Sequence, residues 1–490
     1  MAQSNINGNV ASTNPKTLKA PSLIRPALKV VNNPSAPEKV VAEAKELTPL
    51  QTMQQQFSLL NMDGKLWLVH LPSIHRLTAQ GVAPKLNLST REDGNLLLRR
   101  AIKAQYPEVD TNAVSKDFWY SPQTICNSGV EFNPAGTSEH YLNLWVGPTV
   151  TPRKGTWLLI SAFLLEVICA DDQECYTYLI CYIAHALQMP WEKPGILIAL
   201  LSGQGTGKGT LARILRMIWS ATFLQIHNID SVTGNFNASL ERAFIVFMDE
   251  ALFSGDRRAS DALKSLVTES VIQINEKHQP ARQTSSYHRF FAATNAEHFK
   301  NTERDDRRDL VLRLSESRKG DHAYWQALNH EIDNGGVEAM VHDLLAMDLS
   351  DFNIRDKPNT NELLEQKLQS LGSIQRWWFD CLYRAQIDCE DVAESFEELK
   401  AEYKPWPDFI STSVATKGVY EVAGGRVFKK PSALDFARTF KDLCPSAIHT
   451  QRTIARGSRF RGFDLPPLQQ ARIDFEVYIG GKVKWPEEEV

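Results

Sequence analysis

A glycine-rich loop at positions 202–210, Ser-Gly-Gln-Gly-Thr-Gly-Lys-Gly-Thr, most constrains what this chain can fold into. It follows an unbroken apolar run, residues 196–201, which is typical of a strand buried on both faces of a parallel sheet. It precedes a segment with the apolar spacing of an amphipathic helix. Such a strand, loop and helix bind phosphate, because backbone N–H groups and the positive helix end both point at the anion. The sequence therefore predicts a nucleoside triphosphate as the ligand.

The loop departs from the usual phosphate-loop pattern at two positions. Ser202 replaces the first glycine, and Gly209 replaces the hydroxyl residue that usually ligates Mg²⁺ after the lysine. We therefore expect Thr210 and a carboxylate further along the chain to hold Mg²⁺, in part through water. Lys208 is expected to reach the β and γ phosphates. The residues predicted to hold the nucleotide are Gly203, Gly205, Thr206, Gly207, Lys208, Gly209 and Thr210.

A second apolar run, residues 244–248, ends in the acidic pair Asp249 and Glu250. We expect this strand to lie beside the phosphate-loop strand, so that its carboxyl end arrives at the γ-phosphate. Asp249 would then hold Mg²⁺, and Glu250 would orient and polarise the attacking water. Acidic residues after an apolar strand are common, so this prediction depends on the phosphate loop that precedes them.

Two further segments carry polar groups to the predicted site. Residues 271–288 have the alternation of a β-hairpin, with Lys277 and His278 at its tip. An ordinary solvated turn is the alternative role for these two side chains. Another buried strand, residues 290–294, ends in Asn295, whose amide is expected to sense the γ-phosphate and to position water.

An arginine pair, Arg307 and Arg308, precedes a predicted strand at residues 309–314. Arginines at this point could serve the nucleotide of a neighbouring subunit, by neutralising charge that develops on the γ-phosphate. Exposed salt bridges are the alternative role for each of them.

Taken in order, the segments 203–210, 244–250, the hairpin with Lys277 and His278, and 290–295 resemble the four motifs of superfamily 3 helicases. These are the AAA+ replication helicases of small DNA viruses, plasmids and phages. All four segments lie between residues 203 and 295, a compactness that distinguishes this superfamily. The preceding helical segment is similar to the region before the motor in phage-type primase-helicases.

The resemblance implies a hexameric ring that hydrolyses ATP with Mg²⁺ between its subunits and grips one DNA strand in a central channel. It also implies a role in DNA replication of a phage, plasmid or other mobile element. A cation and an imidazole at a hairpin tip would contact phosphates without reading bases. No primase motif is present, so a separate primase or polymerase is an expected partner.

The composition of the chain is that of an ordinary globular protein, with 43% apolar and 23% charged residues. A net charge of −4 excludes a uniformly basic nucleic-acid coat, but it allows a local basic channel. Seven cysteines form no Cys-x-x-Cys pair, which excludes a zinc ribbon and fits the reducing cytoplasm of a bacterial host. The longest apolar stretch, residues 157–169, is too short to span a bilayer.

We predict an α/β fold, with a P-loop AAA+ motor of the superfamily 3 type between an N-terminal α+β domain and a small winged-helix-like C-terminal domain. The expected boundaries are 1–50 for a disordered tail, 51–150 for the N-terminal domain, 151–192 for a helical segment, 193–320 for the motor, 321–400 for a helical region and 401–490 for the C-terminal domain.

Basic and aromatic residues alternate in the C-terminal domain. Arg456, Arg459 and Arg461 lie in a segment that also contains Phe460 and Phe463 and that follows a predicted helix at residues 433–443. We interpret this pattern as the wing of a winged helix that contacts a DNA backbone. A basic surface strand without a ligand is the alternative.

Two other classes of function remain open from the residues. The sequence Gly-Lys-Gly-Thr also resembles the loop of adenylate kinases, although the Asp–Glu pair, the hairpin and Asn295 have no evident purpose in a nucleotide kinase. A non-unwinding AAA+ switch, such as an initiator, a loader or a defence NTPase, would hydrolyse ATP in response to DNA without separating strands.

Overall fold

The computed structural model describes residues 47–62, 64–74, 86–136, 138–234, 237–250, 257–275, 282–295, 307–387, 406–422, 431–453 and 459–486. The predicted tail up to residue 46 lies outside these residues. So do three of the predicted DNA contacts, Lys277, His278 and Arg456.

The N-terminal part of the chain folds around a small mixed sheet in the order β3-β2-β1-β4. Its helices begin at polar caps: the Thr90 side chain accepts from Asp93 N, and Asp110 accepts from Asn112 N. Phe118 is fully buried in its core, whereas Tyr120 two residues later is 67% exposed. The elements are α1 (Pro49–Gln56), β1 (Phe57–Met62), β2 (Lys65–His70), α2 (Leu71–Ile74), β3 (Leu88–Ser89), α3 (Arg91–Gln105), α4 (Thr111–Tyr120), β4 (Cys126–Asn127), and the parallel pair β5 (Gly129–Glu131) and β6 (Tyr141–Asn143).

Two apolar helices precede the glycine-rich loop. The first, α5 (Leu158–Ala162), continues as a π-helical turn over Phe163–Ile168, and the second is α6 (Gln173–Gln188). Asp172 caps α6 by accepting from Glu174 N and Cys175 N, both at 2.9 Å. In the part of the chain that the structure describes, no helix is both long and apolar enough to cross a bilayer.

Five parallel strands form the central sheet, in the order β13-β7-β12-β9-β8. Alternate residues of β7 enter two different cores, because Ile198 and Leu200 pack on one face while Leu197, Ala199 and Leu201 pack on the other. The elements are β7 (Leu197–Leu201), α7 (Lys208–Ile218), β8 (Phe223–Ile226), α8 (Asp230–Thr233), a 3₁₀ turn (Ala238–Arg242), β9 (Ile245–Asp249), α9 (Arg257–Thr268), β10 (Val271–Ile274), β11 (Arg282–Ser285), β12 (Arg289–Thr294) and β13 (Asp309–Arg313).

The order of the strands corrects one expectation. The Asp249 strand, β9, does not lie beside β7, the strand before the glycine-rich loop, because β12 is hydrogen-bonded between them. Phe291 on β12 faces Ile198 of β7 on one side and Phe247 of β9 on the other. Apolar runs alone do not encode which buried strand takes the middle position.

The predicted hairpin is confirmed at its base. Strands β10 and β11 pair antiparallel from Val271 opposite Ser285 to Ile274 opposite Arg282. The tip that joins them is outside the described residues.

Helices follow the strands of the central sheet and lead into the C-terminal region. They are α10 (His322–Glu331), a π-helical turn (Ile332–Gly336), α11 (Val337–Leu345), α12 (Asn361–Gln369) and α13 (Ser373–Arg384). One face of α13 is buried: Trp377, Trp378 and Leu382 are at most 4% exposed.

A three-stranded antiparallel sheet completes the fold, in the order β14-β16-β15. Its core includes Trp378 and Phe440, whose ring centroids lie 4.7 Å apart in an edge-to-face arrangement. The elements are β14 (Phe409–Ser411), α14 (Thr412–Val422), α15 (Ala433–Leu443), β15 (Ile448–Thr453), β16 (Arg459–Asp464) and α16 (Leu468–Ile479). The predicted helix at residues 433–443 is thus confirmed.

Candidate functional site

The glycine-rich loop connects the buried strand β7 to α7 at the carboxyl edge of the central sheet. Gly205 and Gly207 adopt φ angles of +76° and +102°, which side chains rarely tolerate. A Cβ on Gly207 would also lie 2.7 Å from Phe163 Cε2 and 2.9 Å from Trp325 Cη2. Position 207 therefore requires glycine both for its backbone and for the two aromatic rings that enclose it.

Ser202, which replaces the usual first glycine, makes a side-chain hydrogen bond within the loop. Its hydroxyl lies 2.5 Å from Thr206 Oγ1, and Thr206 Oγ1 also donates to Gly203 O at 3.1 Å. Thr206 is 2% exposed, so this contact is shielded from water. The serine at position 202 therefore joins residues 202 and 206 of the loop through a side-chain hydrogen bond.

Lys208, Asn295 and Glu250 form one hydrogen-bonded chain. The Lys208 ammonium donates to Ser202 O at 3.1 Å and to Asn295 Oδ1, and Asn295 Nδ2 donates to Glu250 Oε1. Each side chain follows a different strand or loop, and all three meet at the carboxyl edge of the sheet. Burial lowers the pKa of Lys208, and the charges of Glu250 and Asp249 oppose this shift.

The strand order explains this contact. Because β12 lies between β7 and β9, the residue that follows it, Asn295, reaches the lysine on one side and the carboxylate on the other. An amide suits this position, since its oxygen accepts from the ammonium while its nitrogen donates to the carboxylate.

Glu250 occupies a strained backbone position. Its φ angle is +55°, and its N–H donates to Ala293 O of the neighbouring strand at 2.8 Å. A non-glycine residue in this left-handed region carries a cost, and such residues cluster at active sites. Here the turn directs the carboxylate toward Asn295.

A side chain on the edge strand β8 contacts the carboxylate of Asp249. Gln225 Nε2 donates to Asp249 Oδ2 at 3.0 Å, and Arg216 donates to the side-chain oxygen Oε1 of Gln225. His227 Nδ1 lies 3.8 Å from the same carboxylate oxygen. The amide of Gln225 therefore fixes how the Asp249 carboxylate is oriented.

The groups at this edge of the sheet are of the kinds that bind phosphate and Mg²⁺ in other proteins. The first turn of α7 directs N–H groups toward the loop, and Mg²⁺ in such sites takes one or two carboxylates together with phosphate oxygens and water. Asp249 supplies such a carboxylate. Within the described residues there is no cluster of three or more His, Cys, Asp or Glu side chains that could hold a metal by itself.

Gly209 leaves room for the hydroxyl that the loop lacks. A Cβ at this position would have no atom within 4 Å, and its φ is not positive. We expect Gly209→Ser to lower the Mg²⁺ concentration that half-saturates nucleotide binding by roughly threefold to tenfold, the factor that about 0.7–1.4 kcal/mol corresponds to. Titration of Mg²⁺ against a fluorescent nucleotide measures this value.

Gly209→Ala is the matched control, because it adds the Cβ and the helix propensity without the oxygen. Its Mg²⁺ requirement should equal that of the wild type. Equal changes in the serine and alanine variants would contradict a metal-directed role for this position.

Arg307 and Arg308 lie at the opposite, amino-terminal edge of the sheet. They directly precede β13, and Arg308 O accepts from Leu197 N at the start of β7. The length of β7, about 16 Å for five residues, separates them from the loop. Their side chains are shorter than this separation and therefore do not reach the loop of their own chain.

Arg459 and Arg461 lie on strand β16, and both are exposed. The register of β15 and β16 puts them on the same face as the buried Phe463, opposite Thr453 and Gln451. Arg452 belongs to the other face, where its Nε pairs with Asp464 Oδ1 at 2.6 Å. Within the described part of the chain, no ion pair engages Arg459 or Arg461.

Several residues near the site were not identified from the sequence. Gln225 orients Asp249, and Glu316 and Lys319 lie beside Gly203. A single polar residue at the end of a short strand, or in a loop after one, has no periodicity that would reveal it. The aromatic contacts of Gly207 were equally hidden, because Phe163 and Trp325 are far from it in sequence.

The structure is an α/β protein with a central parallel sheet and a glycine-rich loop at the carboxyl edge of that sheet. Residues 200–308, which span this site, match a family described as a family of unknown function (DUF5906). A search of curated proteins finds no match.

Solved structures share the fold over most of the chain. The apo structure of the NrS-1 C-terminal region, residues 305–718, aligns with a TM-score of 0.60 at 15% identity, covering 86% of this chain and 100% of that one. The A form of that region gives the same values. A structure of the JCV helicase with a bound small molecule covers 46% of this chain at a TM-score of 0.26, which is too low to establish a shared fold.

Proposed function

We propose that this protein is an ATP-dependent DNA helicase of the superfamily 3, AAA+ type that acts in replication of a phage, plasmid or other mobile element. The chain of hydrogen bonds from Lys208 through Asn295 to Glu250 carries this proposal. It brings residues of three separate sequence motifs to one edge of the sheet, as a nucleotide-hydrolysing site requires.

Each side chain has a separate task in the proposed reaction. Lys208 exchanges its contact with Asn295 for the β and γ phosphates, which it approaches as a point charge. Glu250 orients the attacking water and accepts its proton, and Asn295 positions that water while sensing the γ-phosphate. Thr210 and Asp249 would hold Mg²⁺, which supplies charge neutralisation when bound.

The position of Glu250 favours hydrolysis over phosphate transfer to a second nucleotide. A nucleotide kinase must exclude water from the transferred phosphoryl group. A carboxylate linked to the phosphate-loop lysine through one amide instead supplies a base for water. This is the reason to prefer an ATPase to the kinase alternative.

The two edges of the sheet suggest how subunits cooperate. Arg307 and Arg308 lie about 16 Å from the loop of their own chain, so a role at the γ-phosphate requires a neighbouring subunit. We propose that subunits assemble into a ring, with a hexamer as the expected form, in which these arginines complete the next site.

Two hairpins are proposed to contact the DNA. Lys277 and His278 lie in the sequence between β10 and β11, and Arg456 lies in the sequence between β15 and β16, whose Arg459 and Arg461 are exposed. Contacts of this kind go to the phosphate backbone, and they position the protein without reading sequence.

The tip of the first hairpin allows the tracking role to be tested apart from ATP hydrolysis. We expect Lys277→Ala and His278→Ala to keep basal ATP hydrolysis within about twofold and to reduce strand separation at least about tenfold. The variants would remove contacts with the DNA phosphate backbone and leave the nucleotide site intact. A forked-duplex assay run alongside phosphate release measures both.

Lys417→Ala, on α14 of the C-terminal region, is the control for loss of a surface lysine. Equal loss of ATP hydrolysis and unwinding in the hairpin variants would exclude a tracking role. If DNA stimulated ATP hydrolysis by the wild type and no strands were separated, the result would favour the non-unwinding switch.

A further inference from the structure

An ion pair in the loop after β13 rests against the phosphate loop. Lys319 Nζ lies 3.4 Å from Glu316 Oε1, and the two side chains are 49% and 57% exposed. A Cβ on Gly203 would lie 2.8 Å from Glu316 Oε1 and 3.7 Å from Lys319 Nζ. A carboxylate and an ammonium therefore lie within contact range of the backbone that is proposed to hold phosphate.

The loop that carries this pair is fixed on both sides. Ser315 N donates to Val167 O at 2.9 Å, which joins the loop to the π-helical turn. Arg318 pairs with Glu166 at 2.7 Å, and Trp325 Nε1 donates to Arg318 O at 2.8 Å. Lys319 is thus held next to Gly203 by its neighbours, while its own side chain keeps the freedom to change partner.

An anion at Gly203 would act on the two charges with opposite sign. Phosphate oxygens attract the ammonium of Lys319 and repel the carboxylate of Glu316. An exposed ion pair contributes little stability, so the exchange of Glu316 for a phosphate as the partner of Lys319 costs little. The other lysine described at this loop, Lys208, already donates to Ser202 O and Asn295 Oδ1.

We propose that Lys319 is a second phosphate-binding cation of this site, supplied by the loop after β13, and that Glu316 competes with the nucleotide for it. The ligand class is a nucleoside triphosphate or diphosphate, so this inference rests on the proposed function. Glu316 then lowers the affinity of the site for the nucleotide, since it pairs with Lys319 and repels the anion.

Variants of the two residues have effects of opposite direction. In titrations with a fluorescent ATP analogue and Mg²⁺ at low salt, we expect Lys319→Met to raise Kd roughly tenfold and Glu316→Gln to lower it roughly threefold. Lys319→Arg should retain most of the affinity because it keeps the charge. Both changes should shrink as salt is raised, because these side chains are exposed and therefore screened.

A matched ion pair elsewhere in the chain supplies the control. Lys417 and Glu421 lie 3.6 Å apart on α14, with side chains 46% and 61% exposed. Lys417→Met and Glu421→Gln should leave nucleotide binding unchanged, and thermal unfolding of all variants should match the wild type.

Two outcomes would overturn the inference. One is unchanged binding in Lys319→Met under conditions where Lys208→Ala loses binding. The other is weaker binding in Glu316→Gln, which would indicate that the pair only supports the loop. Failure of the wild type to bind any nucleotide would instead reject the proposed function.

Discussion

Lys208→Ala is expected to lose nucleotide binding, ATP hydrolysis and strand separation together. Lys208 lies in the glycine-rich loop at the start of α7, and its ammonium donates to Ser202 O and Asn295 Oδ1. Charge-assisted hydrogen bonds to phosphate contribute about 1.5–3 kcal/mol, so we expect Kd for ATP to rise roughly a hundredfold. Nucleotide titration and phosphate release measure the loss.

Lys417→Ala controls for the loss of one surface lysine, and its binding and hydrolysis should equal those of the wild type. Circular dichroism and thermal unfolding should show that Lys208→Ala stays folded, since this side chain supports no core. Retention of nucleotide affinity within about twofold in Lys208→Ala would be incompatible with the site described above.

Glu250→Gln is expected to separate binding from hydrolysis. The amide is isosteric with the carboxylate, and its oxygen can still accept from Asn295 Nδ2, so the hydrogen-bonded chain to Lys208 survives. It cannot accept a proton from water. We expect the rate of ATP hydrolysis to fall about 10²–10⁴-fold with nucleotide affinity nearly unchanged, and rapid-quench measurement of bound ATP follows the step directly.

Glu421→Gln, an equivalent exchange on the exposed face of α14, should hydrolyse ATP at the wild-type rate. The assignment of Glu250 would be wrong if Glu250→Gln hydrolysed ATP normally. Loss of binding in this variant would point to a role in holding the loop.

The parts of the site that could be predicted are those with a local sequence pattern. The apolar runs that become β7 and β9 are continuous because both faces of the sheet are covered, and each ends in the polar residues that the site uses. The spacing of glycines around Lys208 likewise reflects a backbone requirement, which Gly205 and Gly207 meet with positive φ angles.

The parts that could not be predicted depend on contacts between distant segments. The middle position of β12 follows from packing of five similar apolar strands, so the contact of Asn295 with both Lys208 and Glu250 appears only in the folded chain. Gln225, Glu316 and Lys319 are single polar residues in short elements or loops. Their roles follow from their contacts, Gln225 with Asp249 and the other two with Gly203. The sequence alone does not show these contacts.

Strand separation of a forked duplex, followed with and without ATP in the wild type and in Glu250→Gln, tests the central claim most directly. We expect ATP-dependent separation by the wild type and none by Glu250→Gln, although the variant binds the nucleotide. Wild-type protein that binds ATP and forked DNA yet separates no strands would contradict the account.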